Sequence, residues 1–518
     1  MSIERILLVD IELDRTTTKP GMEYQASGNT HHPLGLMYLA SSAKQVFPNT
    51  EIKILHTATC YDSEKELVAL LESFQPQLVG LRCLSLFQTQ FKYLAKVIRA
   101  KMPSVFLIGG GPYPSSSYLE IVGSYVDLAV IGEGEKTFVE LIGSLTKIKT
   151  LPTDLVGTAV LVNGEIKKNE SRPVLENLDE LPAPNYDLID VKDYEGIYNL
   201  ANLGTDKSAF IESSRGCTYK CYYCHAALSK TVRRRSADLV IEEMSEHYHK
   251  RGLRDFVFVD DIFNVPKKTA KEILRQIIKK FPDITLNFSN GLRSDRLDDE
   301  ILDLFEEAGT VQMSLAFETA TPRLQKLIVK YLDIPKAVEM TEKASRRFIV
   351  RALYMVGFPT ETMEEAEATI ELAKGMTYVA EPAMSIVRVY PGTPLFDALN
   401  PTPEEARLIE EQTAKALTGN NMDDPLFYGD YFPETKVPIR GKDCQNFKWG
   451  WVRHVLHNKE RIRNSHTVLE KHLNKEEVLT FYRNLYQKPD FDQRRLDQWL
   501  NFADLNAEDT VRKYTAIR

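Results

Sequence analysis

The sequence predicts an α/β protein: a doubly wound parallel sheet, then a partial barrel of six βα units, then a mainly helical C-terminal region. Three observations carry this. Short apolar runs alternate with helix-length periodic segments over residues 1–145, the alternation resumes over 206–400, and from Thr402 onward the period is helical. At 518 residues the chain is too long for one ordinary core. Hydrophobic residues at 43% and charged residues at 27% describe a globular protein, with no apolar run long enough to span a bilayer. The start, MSIERILLVD, enters a strand pattern without a signal-peptide layout, so a cytoplasmic monomer is expected. A net charge of −8 counts against broad nucleic-acid binding, which wants a basic face.

In the first 145 residues the expected strands are Ile6 to Val9, Ile52 to Leu55, Leu78 to Leu81, Val105 to Ile108 and Leu128 to Ile131. The expected helices are Leu34 to Val46, Glu64 to Phe74, Phe91 to Met102, Tyr118 to Val122 and Thr137 to Leu145. Sheets of this kind bind ligands at the carboxyl ends of their strands. Those ends carry Asp10, then Cys83-Leu84-Ser85, then Gly109-Gly110-Gly111-Pro112, then Gly132-Glu133-Gly134-Glu135. Glycine lets a flat or phosphate-bearing ligand approach the backbone, although it also makes ordinary turns. No G-x-G-x-x-G follows the first strand, which counts against a nicotinamide dinucleotide.

Residues 146–205 read as a connector. Leu155 to Val162 and Glu165 to Lys168 flank Asn163-Gly164 as a hairpin with a type I′ turn, and a charged, proline-broken stretch follows. Over 206–400 the expected strands are Ala209 to Ser213, Asp255 to Val259, Thr285 to Ser289, Val311 to Phe317, Val350 to Val356 and Ala383 to Val389. Helical patterns lie between them, so the active site is expected at the strand carboxyl ends. There the polar residues gather: Cys217, Cys221 and Cys224; Asp260 and Asp261; Asn290 and Arg293; Glu318; Gly357 to Thr360; Tyr390 to Thr393. Each alone is as well read as a cap or turn, and their shared register favours a site. Arg233-Arg234-Arg235 reads as a solvated surface, with docking of an acidic electron donor as the alternative.

The cysteines have the spacing C-x3-C-x2-C. A cluster held by three thiolates leaves one iron open to a substrate, whereas four close it. The competing reading is a structural zinc on Cys217, Cys221, Cys224 and His225, disfavoured because adjacent Cys224 and His225 are awkward joint ligands. Cys60, Cys83 and Cys444 show no second cluster spacing and read as buried or free thiols.

Together these residues carry a resemblance. His32-Pro33-Leu34-Gly35-Leu36-Met37-Tyr38-Leu39-Ala40, GGGP at 109–112 and GEGE at 132–135 resemble the Rossmann-like cobalamin-binding domain of the B12-dependent radical S-adenosylmethionine (SAM) enzymes. The cysteine loop, with Tyr223 before its last cysteine, resembles the TIM-like radical SAM barrel, and Tyr390 to Leu395 resembles a sixth-strand signature of the same subgroup. The resemblance implies a [4Fe-4S] cluster on Cys217, Cys221 and Cys224 whose open iron chelates SAM. It implies SAM contacts at Tyr223, Asp260, Asp261, Glu318 and Gly357, although the family's glycine-glycine-glutamate segment is absent. It implies cobalamin contacts at Leu34, Gly35, Ser85, Gly110, Gly111, Gly132, Glu133 and Gly134. The D-x-H-x-x-G motif is missing, so the implied cobalamin is base-off with no protein histidine on cobalt. The corrin should face the barrel mouth, so the two carboxyl-end rims should meet.

The activity implied is methylation of an unactivated carbon of a small metabolite or peptide natural product, through methylcobalamin and a 5′-deoxyadenosyl radical, with a low-potential donor such as flavodoxin or ferredoxin. A non-methylating cyclase, ring contraction or oxidative rearrangement is the nearest alternative, and a noncatalytic cobalamin or redox sensor is one of another class. A tRNA methylthiotransferase is disfavoured because Cys60 and Cys83 cannot supply its extra three-cysteine site. Beyond residue 401 helices are expected at Glu404 to Leu417, Trp449 to Asn464, Ser465 to Leu473, Glu476 to Tyr486 and Gln493 to Phe502. Phe427, Tyr428, Tyr431 and Phe432 read as packing residues or as a substrate entrance, and substrate identity is expected to be encoded in this region.

Overall fold

The alternation of apolar runs and amphipathic segments folds as its periods require. In the computed structural model, which describes residues 3–14, 31–194, 207–224, 229–415, 427–486 and 490–501, the first sheet contains β1 (Arg5–Ile11), β2 (Glu51–His56), β3 (Leu78–Cys83), β4 (Phe106–Gly110), β5 (Leu128–Val130), β6 (Thr158–Val162) and β7 (Glu165–Lys168). Its order is β2-β1-β3-β4-β5-β6-β7, parallel through β5. The helices are α1 (Leu34–Val46), α2 (Ser63–Phe74), α3 (Gln88–Lys101), α4 (Pro112–Ser116), α5 (Tyr118–Ile121) and α6 (Glu135–Ile148). Leu67, Leu71, Phe91 and Leu94 of α2 and α3 bury one face of the sheet, and Leu36, Ala40, Phe138 and Leu141 of α1 and α6 bury the other. A central parallel strand must be apolar on both faces, and Ile6 to Val9 is.

The hairpin expected within the connector is joined to this sheet. β6 runs antiparallel to β5, and β7 closes the edge. Asn163 (φ +51°) and Gly164 (φ +86°) are both left-handed, as a type I′ turn demands.

The second unit contains β8 (Ser208–Ile211), the short ribbon β9 (Ser214–Arg215) and β10 (Arg233–Arg234), then β11 (Asp255–Phe258), β12 (Thr285–Leu292), β13 (Thr310–Glu318), β14 (Ile349–Val356) and β15 (Glu381–Ile386). Its main sheet is parallel throughout in the order β8-β11-β12-β13-β14-β15, so it curves as an open barrel of six strands. Between the strands lie α7 (Ala237–Lys250), α8 (Lys267–Lys280), α9 (Asp299–Glu307), α10 (Pro322–Leu327), α11 (Ile334–Ser345) and α12 (Met363–Gly375), followed by α13 (Pro394–Leu399) and α14 (Pro403–Lys415). Helix starts follow the capping rules: Asp298 accepts from Ile301 N, and Thr362 with Glu365 forms a full capping box.

The C-terminal region holds α15 (Gly441–Gly450), a π turn at Trp451–Leu456, α16 (Lys459–His472), α17 (Lys475–Tyr486) and α18 (Gln493–Asn501). The expected helix running through Trp449 to Asn464 is broken at His457–Asn458, because Asn458 is a cap that accepts from Arg461 N. Here α16 continues through 465 as one helix. Phe427, Tyr428 and Phe432 are buried in the barrel's own core with Phe447 and Trp451, so their packing reading holds and the entrance reading does not. α16, α17 and α18 pack around Ile349 and Ala380, at the amino ends of β14 and β15, which is the face away from the strand carboxyl ends. Among the described residues no helix is long and apolar enough to cross a membrane.

The outermost strand β8 is pinned by the connector. Tyr186 Oη donates to Phe210 O at 2.8 Å and accepts from Phe210 N at 2.9 Å, within the buried interface. Tyr186→Phe strips both partners from a buried amide, and urea denaturation should register a loss of about 1–3 kcal/mol; an unchanged midpoint would remove this role.

Candidate active site

The cysteine loop leaves β8 through Ser213 and β9. Its entry needs a glycine: Gly216 has φ +88°, and a Cβ there would meet Thr231 O at 2.4 Å. Asp260 and Asp261 hold the entry down. Asp260 takes Ser213 N at 3.2 Å, Ser213 Oγ at 2.7 Å and Ser214 Oγ, while Asp261 Oδ2 takes Gly216 N at 3.0 Å. Burial raises the Asp260 carboxyl against those hydrogen bonds. Asp260 is thus buried and committed to the loop, whereas Asp261, which also holds it, is exposed.

The loop is laced to two helices, at the end of α10 and the start of α13. Tyr222 N donates to Ile328 O at 3.1 Å, and Leu395 N donates to Tyr222 O at 2.8 Å. The Cys217, Cys221 and Cys224 thiols are all raised, first by burial; neighbouring thiols add to the shift at Cys217 and Cys224. Among the described residues no three His, Cys, Asp or Glu side chains converge on a point as one metal ion needs. A cluster asks for something different, because each thiolate reaches its own iron at a separate corner. Three neighbouring thiols on one loop suit that donor set; His225 lies outside the described residues.

Glu318 and Tyr223 meet beside the loop. Tyr223 Oη donates to Glu318 Oε1 at 2.9 Å, and Lys330 Nζ reaches the same oxygen at 2.8 Å. Sequence reasoning missed Lys330, which lies in no motif. Its backbone is built with care: Val329 (φ +57°) and Tyr331 (φ +49°) are left-handed, and Arg293 Nη1 and Nη2 donate to Lys330 O and Tyr331 O. Such backbone in a β-branched residue persists only where surroundings enforce it.

Gly357 (φ +98°) also admits no side chain, since a Cβ would meet Phe427 Cζ at 2.8 Å. Its N–H and that of Phe358 donate to Glu361 Oε2 at 2.6 and 2.8 Å. Glu361, a second residue missed from sequence, is fully buried, and burial pushes its carboxyl up to about 7 against those two bonds.

The first unit presents its strand ends to this rim. A Cβ at Gly35, Gly110 or Gly132 would meet nothing within 4 Å, so backbone lies open to a flat ligand at three expected corrin contacts. A Cβ at Gly111 or Gly134 would instead touch Arg82 Cγ or Leu39 Cδ2. Leu34 packs against the Phe210–Val257 pair of the barrel. Ser85 lines one cleft with Tyr113 from the first unit and Tyr390, Pro391 and Glu410 from the second.

The expected solvated run at 233–235 is a correction. Arg233 and Arg235 are buried and Arg234 is half-buried. Arg233 Nη1 donates to Glu133 Oε2 at 2.9 Å and Leu175 O at 2.7 Å, and Arg235 pairs with Glu243. Arg215 Nη1 donates to Glu135 at 2.6 Å and Nε to Glu212 at 2.8 Å, with Tyr38 under its guanidinium. Burial alone would raise Glu133, yet the Arg233 hydrogen bonds and the Arg215 and Arg233 charges bring its pKa below the usual value. Glu133, expected at cobalamin, is therefore an interdomain ion-pair partner.

Two family descriptions match the chain: the radical SAM superfamily over residues 211–373 and the B12 binding domain over 25–142. An uncharacterized methyltransferase, PH0819, of Pyrococcus horikoshii is 30% identical over 380 residues, covering 71% of this chain and 79% of the relative. A cytidylyl-2-hydroxyethylphosphonate methyltransferase of Streptomyces wedmorensis is 24% identical, covering 70% and 76%. In fold, the chain is similar to the cobalamin-dependent S-adenosylmethionine radical enzyme OxsB with aqua-cobalamin and S-adenosylmethionine bound, at TM-score 0.63, 16% identity and coverage of 99% and 75%.

Two outcomes follow from the buried charges. Arg233→Met strands the Glu133 carboxylate and should cost about 3–5 kcal/mol in urea, whereas Arg233→Met with Glu133→Leu should recover at least half; equal losses would show that the pair is not coupled. Glu361 binds a proton more tightly folded, near 7, than unfolded, near 4.3, so stability falls as pH rises between those values. Glu361→Gln cannot ionise, and denaturation at pH 5 and pH 8 should show wild type losing up to about 3 kcal/mol more than the variant across that range.

Proposed function

Since the chain belongs to the cobalamin-dependent radical SAM enzymes, we propose that it methylates an unactivated carbon of a small metabolite or peptide natural product. Its cofactors are a [4Fe-4S] cluster, SAM and cobalamin. When bound, they supply one-electron cleavage of SAM and a transferable methyl group. The observation that carries the reading is the meeting of the two rims: Ser85 from one and Tyr390–Pro391 from the other line one cleft, with the cysteine loop bolted to the corrin-side loop by Arg215 and Arg233.

The chain's own residues divide the work. Cys217, Cys221 and Cys224 hold the cluster, and Asp260 keeps their loop in place. Lys330 supplies a buried cation beside Cys221 that would answer the carboxylate of SAM, and Asp261 an exposed anion for its amino group. Glu318 would take the ribose with Tyr223 and Lys330 fixing its carboxylate, and the Gly357–Phe358 turn held by Glu361 would form the adenine edge. Gly35, Gly110 and Gly132 would admit the corrin face, with Gly111, Gly134, Ser85 and Leu34 around it. No histidine motif for cobalt is present, in keeping with base-off binding. A low-potential flavodoxin or ferredoxin would supply the electron. The units would divide as 1–145, 146–205, 206–400 and 401–518.

Anaerobic reconstitution with iron, sulfide and cobalamin, followed by titanium(III) citrate and SAM, tests this. Wild type should bind iron and release 5′-deoxyadenosine with S-adenosylhomocysteine, and Cys217→Ala, Cys221→Ala or Cys224→Ala should lose both. Deoxyadenosine alone would favour cyclisation or rearrangement, and neither product from an iron-loaded protein would favour a sensor.

A further inference from the structure

The barrel lumen carries polar groups that the cysteine loop and the rim do not use. Strand alternation sets their direction. Leu286 and Phe288 of β12, Met313 and Leu315 of β13, and Val350 and Ala352 of β14 lie in the core under the helices. Asn287, Ser289, Gln312, Ser314 and Arg351 therefore face the opposite, concave side. Pairing sets their level: Asn287 lies opposite Gln312, Ser314 opposite Arg351, and Arg351 opposite Glu381.

These groups are unsatisfied. Asn287 and Ser289 are 4% exposed, Gln312 and Ser314 1%, and Asn287 Oδ1, Ser289 Oγ, Gln312 Oε1 and Ser314 Oγ have no hydrogen-bond partner. Arg351 Nε stands 3.2 Å from Glu381 Oε1, yet Nε and Nη1 make no aligned hydrogen bond. Above this floor the lumen-facing Ala316, Leu353, Met355 and Ala383 are only half-buried and apolar, and Glu318 marks the rim two residues beyond Ala316. Apolar walls over a few convergent polar groups are the build of a small-molecule site. Each buried polar atom left unpaired costs about 1–3 kcal/mol, so a fold keeps several together only where something else satisfies them.

Their chemistry narrows the occupant. Arg351 and Glu381 are neutral as a unit, so a carboxylate or phosphate would give one half-buried cation two anions. A hydrocarbon would leave every orphan unpaired. A neutral group with a carbonyl for Arg351 and an N–H for Asn287 or Gln312 meets all of them, with Ser289 and Ser314 serving either role. We propose that the lumen floor, where orphaned Asn287, Ser289, Gln312 and Ser314 of β12 and β13 lie to one side of the Arg351–Glu381 pair, recognises an uncharged amide-type group of the substrate, from a peptide or from a nucleobase lactam. The proposal rests on the methylation reading for what happens at the rim, and on the lumen alone for what binds.

The test uses the full-length chain and four probes followed by saturation-transfer NMR: N-methylacetamide, 1-methyluracil, acetate and cyclopentane. An amide probe should bind, N-methylacetamide preferentially if the source is a peptide and 1-methyluracil if it is a nucleobase. Asn287→Leu with Gln312→Leu should weaken it about ten-fold or more, about one lost hydrogen bond, without lowering Tm, because the variant removes orphaned atoms. Ser314→Ala, a smaller change, should weaken it in the same direction if the double variant does not fold. Preference for acetate or cyclopentane, a lumen that retains water and none of the probes, or unchanged binding in the variants would overturn the proposal. Probe binding without deoxyadenosine release in the reconstitution assay would sink the methylation reading and leave this site standing.

Discussion

The arrangement of the two units depends on two buried arginines in a ribbon of four residues. β9 and β10 contribute Arg215 and Arg233, and the loop after β5 and the first residue of α6 contribute Glu133 and Glu135. A buried guanidinium is tolerated only when its hydrogen bonds are satisfied, and a carboxylate left behind by its partner costs several kcal/mol. Sliding one rim over the other would separate both pairs at once. The orientation that brings the cysteine loop against the glycine-rich strand ends is therefore held by charge, with Tyr38 stacked on Arg215 as the apolar floor of the clasp.

The same ribbon explains why two adjacent acids end β11. Asp260 satisfies Ser213 and Ser214 on the way into the loop, and Asp261 satisfies Gly216. The loop lies over the barrel mouth, so its backbone N–H groups have no strand to pair with and need side-chain acceptors. One pair of carboxylates thus supports the loop from below while the two arginines hold it from the side, and the three thiols lie on the span from Cys217 to Cys224. Gly132 and Gly134, at the first unit's strand ends, flank Glu133 of the clasp, so the glycine-rich turn and the ribbon beside the cysteine loop are joined by one ion pair.

The fold was largely legible because its signals are local. An apolar run of four to six residues, an amphipathic segment and an Asn-Gly turn each declare themselves within a dozen residues, and the strand carboxyl ends then locate the rim. What was illegible depends on distance. Arg233 reads as a surface cation because its partner lies 100 residues earlier in the chain, and Lys330 reads as a helix-end lysine because only the fold brings it to Glu318. Asn458 reads as helix interior because a capping residue and an exposed polar one look alike without the backbone. Glu361 looks like one more acid in an acidic helix start, yet the turn at Gly357 folds back on it and seals it from water.

The same distinction moves the seat of substrate selection. A variable, aromatic C-terminal region invites the idea of a lid, but Phe427 packs onto Gly357 and Tyr428 donates to its carbonyl at 2.8 Å, so these rings brace the turn from outside the lumen. Arg461 then ties α16 to the end of α12 through the carbonyls of Met376 and Val379, each at 2.9 Å, beneath the barrel. Among the described residues this part of the C-terminal region closes the floor and braces the turn, and Glu410 reaches the cleft at Ser85. The lumen floor offers a second set of groups for selection, because there the strands turn apolar residues toward the helices and unsatisfied polar ones toward the lumen. Polar lumen residues that pair with nothing in the protein can follow the substrate while the scaffold stays as it is.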